Sequence, residues 1–291
     1  SETAYATFTL IGDNGGVDPD DEAMEPSLHS CQIDPARLRS LLGGASGRFT
    51  IEALRECGST STLLLERARQ DATSGSVLIA DRQTAGRGRR GRSWWCSAES
   101  GLTFSVLWRF TGGVARLAGL SLAVGVAVAR ALENCGVPGI GLKWPNDILL
   151  DGGKLGGILV ELDAQPDGMV AVKGIGLNLL LPAAGAEEFL HRPASLSQAS
   201  SPPPDRHQLL ARILLELAVV LDRFAVAGFS VLREEWQAHH VWQERAVRLL
   251  NGGLLDREGI CLGADSDGAL LLRTAAGIER CLSGDLSLRA A

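Results

Sequence analysis

Apolar and polar residues follow one another along the chain in three textures. Residues 1–32 carry Asp13, Asp18, Asp20, Asp21, Glu22 and Glu25 among glycines and small polar residues with no apolar period. This reads as a mobile acidic tail, in which Met24 fits a natural start. Asp34-Pro35 then opens a short helix, Ala36–Leu42, with aspartate as N-cap, proline in the first turn and Gly43-Gly44 as the stop. From Phe49 onward, runs rich in Val, Leu and Phe predict strands at Phe49–Glu56, Ser76–Asp81, Leu102–Arg109, Leu142–Trp144, Ile148–Leu150, Gly156–Asp163 and Met169–Leu177. Stretches of helical period predict helices at Ser61–Asp71, Arg116–Cys135, Asp205–Val226 and Val231–His239. After Trp242 the texture changes to short strands, Ala246–Leu250, Asp256–Leu262, Ala269–Arg273 and Ile278–Leu282, separated by Gly and Asp turns.

The fold class expected is α+β: a mixed β-sheet with helices, followed by a small barrel-like β domain. At 291 residues the chain exceeds one usual domain. Its expected divisions are the tail (1–32), a large domain (33–243) and the small one (244–291). The last sits near the lower size limit of independent stability, so it is expected to dock on the large domain.

Composition narrows the function classes. Hydrophobic residues make up 45%, ample for a core, and the net charge of −6 argues against a surface that clings throughout to nucleic acid. Cys31, Cys57, Cys96, Cys135, Cys261 and Cys281 form no CxxC pair and find no matching histidine spacing. Free thiols in a reducing compartment are expected, rather than a zinc site or a disulfide framework. The apolar stretches Leu117–Val128 and Ile213–Leu221 are interrupted and fall short of the roughly 20 residues of a membrane span. With no signal-peptide pattern, the expectation is a soluble, cytoplasmic protein without membrane or nucleic-acid partners.

Four arginines and three glycines lie within Gly86-Arg87-Gly88-Arg89-Arg90-Gly91-Arg92. Glycine lets backbone approach a ligand, and arginine offers a fork of donors matched to phosphate and carboxylate oxygens. The segment suits a flexible clamp on a small anion. Gly86, Gly88 and Gly91 also satisfy a dinucleotide fingerprint, but no helix follows them, and a basic run also suits nucleic acid or plain solvation. Lys143 precedes the turn Pro145-Asn146-Asp147, where it is either a cation aimed at phosphate or a solvated charge beside a good turn. Glycines in two separate strands, Lys154-Leu155-Gly156-Gly157 and Gly174-Ile175-Gly176-Leu177-Asn178, point to one groove bounded by both. Ser59-Thr60-Ser61-Thr62 serves as an N-cap cluster or as hydroxyls aimed at a polar ring. Trp94 and Trp95 suit base stacking or core packing.

Taken in order over Phe49–Arg289, these segments resemble the biotin–protein ligase family. Gly86–Arg92 resembles its arginine-glycine loop, Lys143–Asp147 its Lys-Trp-Pro-Asn-Asp motif and Lys154–Glu161 its Lys-Leu-Gly-Gly-Ile-Leu segment. Gly174–Asn178 and Asp285–Arg289 also fit. The resemblance implies a catalytic domain related to class II aminoacyl-tRNA synthetases with a C-terminal SH3-like β-barrel. It implies ATP and biotin as substrates with Mg2+, formation of biotinyl-5′-AMP, and transfer of biotin to a lysine of the biotin carboxyl carrier protein domain of acetyl-CoA carboxylase; a homodimer is compatible.

Implied biotin contacts are Ser59, Thr60, Ser61, Gln83, Gly86, Arg87, Gly88, Arg89, Lys143, Gly174 and Gly176. Implied adenylate contacts are Arg89, Arg92, Trp94, Lys143, Asn178, Asp285 and Arg289. Lys143, Arg89 and Arg87 are the candidate catalytic charges. Ser61 stands where the family often has Asn, and Cys96-Ser97 where it often has Ser-Pro. Residues 1–48 hold one short helix where a winged helix-turn-helix needs three, so no repressor module is expected. A lipoate or octanoate ligase and a non-catalytic biotin- or nucleic-acid-binding module are the alternatives.

Overall fold

Extended, β-rich segments of this chain pair into two sheets, and the helices cover what those sheets leave apolar. The computed structural model describes residues 31–94, 97–181, 192–200, 202–251, 253–282 and 286–290. The expected acidic tail lies outside them but for its last two residues, and Trp95, Cys96 and Asp285 also lie outside.

The larger sheet has seven strands: β1 (Thr50–Cys57), β2 (Ser76–Gln83), β3 (Gly101–Phe110), β4 (Ile140–Lys143), β5 (Asp147–Leu150), β6 (Gly153–Gln165) and β7 (Gly168–Asn178). Their order is β1-β2-β3-β7-β6-β5-β4. Only β1 and β2 run parallel. A parallel pair needs a crossover, and helix α2 (Thr60–Ala68) supplies it.

Alternation along β7 sorts its side chains. Met169, Ala171, Ile175 and Leu177 belong to the main core. Val170 and Val172 join Leu64, Ala68, Leu78 and Leu107 in a smaller apolar cluster that α2 covers. Two steps further on this second face come Gly174 and Gly176, so the apolar patch gives way to bare backbone.

The main core lies between the other face and helices α3 (Leu120–Asn134), α4 (Arg206–Ala227) and α5 (Arg233–His239). Helix α1 (Pro35–Leu42) packs on α4, its N-cap Asp34 accepting from the Ala36 N–H and Gly43 closing it at φ 53°. The sequence pattern places the start of α3 at Arg116, but Gly119 at φ 77° interrupts the chain and the helix begins at Leu120. Val114–Asn134, at 21 residues, is long and apolar enough to cross a membrane by composition, contrary to the reading of the sequence. Yet 61% of its most apolar window is buried inside the protein, as a core helix requires.

The C-terminal sheet joins β8 (Ala246–Asn251), β9 (Leu254–Ala264), β10 (Leu270–Thr274), β11 (Gly277–Cys281) and β12 (Leu286–Ala290) in the antiparallel order β11-β10-β9-β8-β12. The expected docking is present. Leu249, Cys261, Leu270, Leu272 and Leu288 share the main apolar core, and Trp144 Nε1 donates to Gly268 O at 3.1 Å. Strand β12 is not among the strands that the sequence pattern predicts. Cys31, Cys57, Cys135, Cys261 and Cys281 are free thiols, and no cluster of three His, Cys, Asp or Glu suited to a metal occurs among the described residues.

One core position breaks the apolar rule. Lys173 is fully buried on the core face of β7, its Nζ 5.5 Å from the Trp108 ring centre and 5.7 Å from that of Phe110, with no hydrogen-bond partner. Burial pushes its amine well below the usual lysine range. Between that lowered pKa and the unfolded value the unfolded chain binds the extra proton, so stability falls as pH drops through this window. Lys173→Met, close in volume, is expected to raise unfolding free energy at pH 7 by at least about 1 kcal/mol, with the gain shrinking toward pH 10. Urea denaturation at the two pH values measures it.

Candidate active site

The bare backbone at the end of β7 floors a cavity of about 360 Å³. Gly176 registers with Gly157 on β6 and with Thr103 on β3. A Cβ on Gly176 would stand 2.3 Å from the Trp94 ring, and one on Gly174 would stand 2.6 Å from Ser61 Oγ. Glycine is therefore required by close approach rather than by turn geometry.

At one end α2 presents its first turn. Ser59 caps it by accepting from the Thr62 N–H at 3.4 Å. Gln83 Oε1 accepts from the Thr60 N–H at 2.7 Å and from Thr60 Oγ1 at 3.0 Å. Ser105 Oγ lies 2.7 Å from Thr60 Oγ1 and 2.9 Å from Ser61 Oγ. This end is polar, neutral and buried.

The arginine-glycine segment folds over the cavity as a small closed loop. Gly88 N donates to Arg92 O at 2.6 Å and Trp94 N to Gly86 O at 2.9 Å, while Arg90 turns with φ 63°. Arg87 is paired with Glu161 at 2.7 Å, and Arg89 Nη1 donates to Asn146 Oδ1 at 3.3 Å. The Asn146 amide is oriented by its other end, Nδ2, which donates to Ile158 O at 2.8 Å. Two polar groups on the cavity wall, Trp94 Nε1 and Thr103 Oγ1, are buried without a protein hydrogen-bond partner.

Of the residues named from the sequence, Ser59, Thr60, Ser61, Gln83, Arg87, Gly88, Arg89, Arg92, Trp94, Gly174, Gly176 and Asn178 line the cavity. Gly86 does not line it, but a Cβ there would strike Trp94 O at 2.2 Å, so it sets the loop. Asp285 lies outside the described residues. Arg289 stands off the wall, yet close enough to Asp147, Arg92 and Arg90 for their charges to act on it.

Lys143 is a buried cation held by an ion pair. It is 6% exposed, off the cavity lining, with Nζ 2.9 Å from Asp147 Oδ2 and over the Trp242 ring at 5.2 Å. The lysine that lines the cavity is Lys154, 2.6 Å from Asp147 Oδ1. Burial alone would raise the Asp147 carboxyl, but Lys154 and Lys143 outweigh it and hold the group well below the carboxylate range. Burial lowers Lys143 despite Asp147. Asn146, Ser100 and Thr103 also line the cavity and were not singled out. The signal available for Lys154 was its place two residues before a glycine pair in a strand.

A family model for the biotin/lipoate A/B protein ligase family matches residues 55–178. The "Bifunctional ligase/repressor BirA" of Escherichia coli is 35% identical over 262 residues, covering 89% of this chain and 80% of that one. The "Biotin--[acetyl-CoA-carboxylase] ligase" of Mycobacterium tuberculosis is 37% identical over 246 residues, covering 82% and 90%. Among solved structures, the biotin protein ligase from Aquifex aeolicus in complex with biotin and ATP superposes with TM-score 0.70 at 31% identity, covering 83% of this chain and 99% of that one.

Asp147→Asn would leave two lysines facing each other with one partner lost. It is expected to lower unfolding free energy by about 3 kcal/mol at pH 7. Because the folded carboxyl is depressed, that contribution is complete above about pH 4 and is lost as pH falls below it. Thermal unfolding of parent and variant at pH 7 and pH 3 gives both readings.

Proposed function

Since the chain belongs to the biotin/lipoate A/B protein ligase family, we infer that it is a biotin–protein ligase, which forms biotinyl-5′-AMP from biotin and ATP and passes biotin to one lysine of a biotin carboxyl carrier protein. The observation that carries this reading is one cavity with a neutral hydroxyl-and-amide end, a glycine floor, and Arg89, Arg92 and Lys154 on its walls. A bicyclic urea with an aliphatic acid tail fits that sequence of surfaces, and its carboxylate would lie toward the cations.

The chemistry is governed by charge. A carboxylate attacking an α-phosphate brings two anions together, and the site must neutralise both in position. Lys154 and Arg89 are the counter-charges, with Asp147 and Asn146 holding them. Lys143 acts through Asp147 as a positioning residue, and Arg87, tied to Glu161, anchors the loop. Arg289 would approach the nucleotide from β12. The described residues supply no carboxylate cluster for a metal, so Mg2+ would enter with the nucleotide's phosphates. The mixed anhydride is shielded by the Gly86–Trp94 loop.

In this reading residues 33–243 form the catalytic domain, of class II aminoacyl-tRNA synthetase type, and residues 244–291 an SH3-like barrel. The cytoplasm is the proposed compartment, supported by the free thiols.

Purified protein should catalyse biotin-dependent ATP–pyrophosphate exchange and none with lipoate; absence of the biotin signal from folded enzyme overturns the reading. Lys154→Ala should lower exchange kcat/KM by roughly 10³-fold, and a loss confined below about threefold removes Lys154 from the chemistry. Arg89→Gly should remain folded yet release biotinyl-AMP into solution, measured as faster adenylate dissociation.

A further inference from the structure

The polar end of the cavity holds more information than its residue types, because its hydroxyl protons can be counted. The Gln83 amide orientation is set by a backbone donor: Thr60 N–H reaches Oε1 at 2.7 Å, so that atom is the acceptor and the NH2 group points elsewhere. Thr60 Oγ1, 3.0 Å from the same oxygen, can only donate to it. Its single proton is then used, and across the 2.7 Å contact Thr60 must accept from Ser105. Ser105 in turn has spent its proton and accepts from Ser61 across 2.9 Å. Three hydroxyl protons fill three contacts in one direction, Ser61 to Ser105 to Thr60 to Gln83. Reversal would leave the Thr60–Gln83 contact with two lone pairs opposed, in a place where Thr60 is 2% and Ser105 0% exposed.

We propose that Ser105, which does not line the cavity, is a positioning residue that makes Ser61 Oγ a hydrogen-bond acceptor toward the ligand. The proposal rests on the biotin reading and specifies how the ureido ring is recognised. Ser61 offers a lone pair to a ring N–H. Ser59, whose oxygen already accepts the Thr62 N–H, keeps its proton for an acceptor such as the ring carbonyl, as does the Gln83 NH2. An amide side chain at position 61 would own both a donor and an acceptor and would not be bound to one polarity. A serine there is directed entirely by its neighbour.

The test uses the full chain, biotin, and the two cyclic carbamate analogues in which one or other ureido N–H is replaced by a ring oxygen. Affinity is read by calorimetry, and KM and kcat by pyrophosphate exchange. For the parent, the carbamate that puts oxygen against Ser61 should bind roughly 100-fold more weakly than biotin, since lone pair meets lone pair. In Ser105→Ala, Ser61 recovers its own proton, and discrimination against that same analogue should fall to about 10-fold or less. The cost to biotin itself should fall on KM rather than kcat. A Ser61→Ala/Ser105→Ala cycle should be strongly non-additive in biotin affinity.

Parent enzyme that accepts both carbamates within about threefold of biotin overturns the relay, as does discrimination unmoved by Ser105→Ala. If Ser105→Ala does not fold, Ser105→Cys and the analogue comparison on the parent decide the matter. Failure of biotin itself to support exchange would instead overturn the ligase reading.

Discussion

A sheet face stripped of side chains is the constraint on which the site depends. Val170 and Val172 on β7 carry the apolar patch beneath α2, and the next two positions on the same face are glycines. With Gly157 opposite Gly176, the floor is backbone, and the Trp94 indole approaches it so closely that a methyl group would collide. Trp94 and Ser61 can pack against it only because those side chains are missing. The polar turn of α2 and the arginine loop gain their significance from facing that space.

Charge is arranged around it through intermediaries. Asp147 sits between Lys143 and Lys154, and its two oxygens hold one lysine in the interior and one at the wall. Asn146, the residue before it, uses one end of its amide on the Ile158 carbonyl and the other on Arg89. A turn that looks like a simple connection thus orients the cation of a strand and the cation of a loop. In a poorly solvated pocket such fixed partners matter more than the number of positive charges, because a misdirected cation cannot be replaced by water.

The small C-terminal sheet belongs to the same economy of burial. Its Leu249, Leu270, Leu272 and Leu288 complete the core against α3, α4 and α5, so its stability is inseparable from that of the larger layer. Through β12 it also brings the half-buried Arg289 within electrostatic reach of Asp147, Arg90 and Arg92. Lys173 is the exception to this burial logic, an amine held among aromatic rings with no hydrogen-bond partner, next to the first floor glycine.

The sequence by itself determined most elements, since strand and helix periods depend on neighbours a few residues apart. It also marked the arginine-glycine loop and the two glycine strands, whose composition points to a close approach to the backbone. Tertiary structure alone decided which lysine lines the cavity. Lys143 and Lys154 are both preceded or followed by turn residues and glycines, and only the pairing of β4, β5 and β6 puts one behind Asp147 and the other on the cavity. Ser105 was invisible for the same reason: a serine in an apolar strand acquires direction only when Thr60 and Ser61, more than forty residues away, are folded against it. Local periodicity specifies what each segment is, whereas hydrogen-bond direction and charge pairing are set by partners distant in the chain.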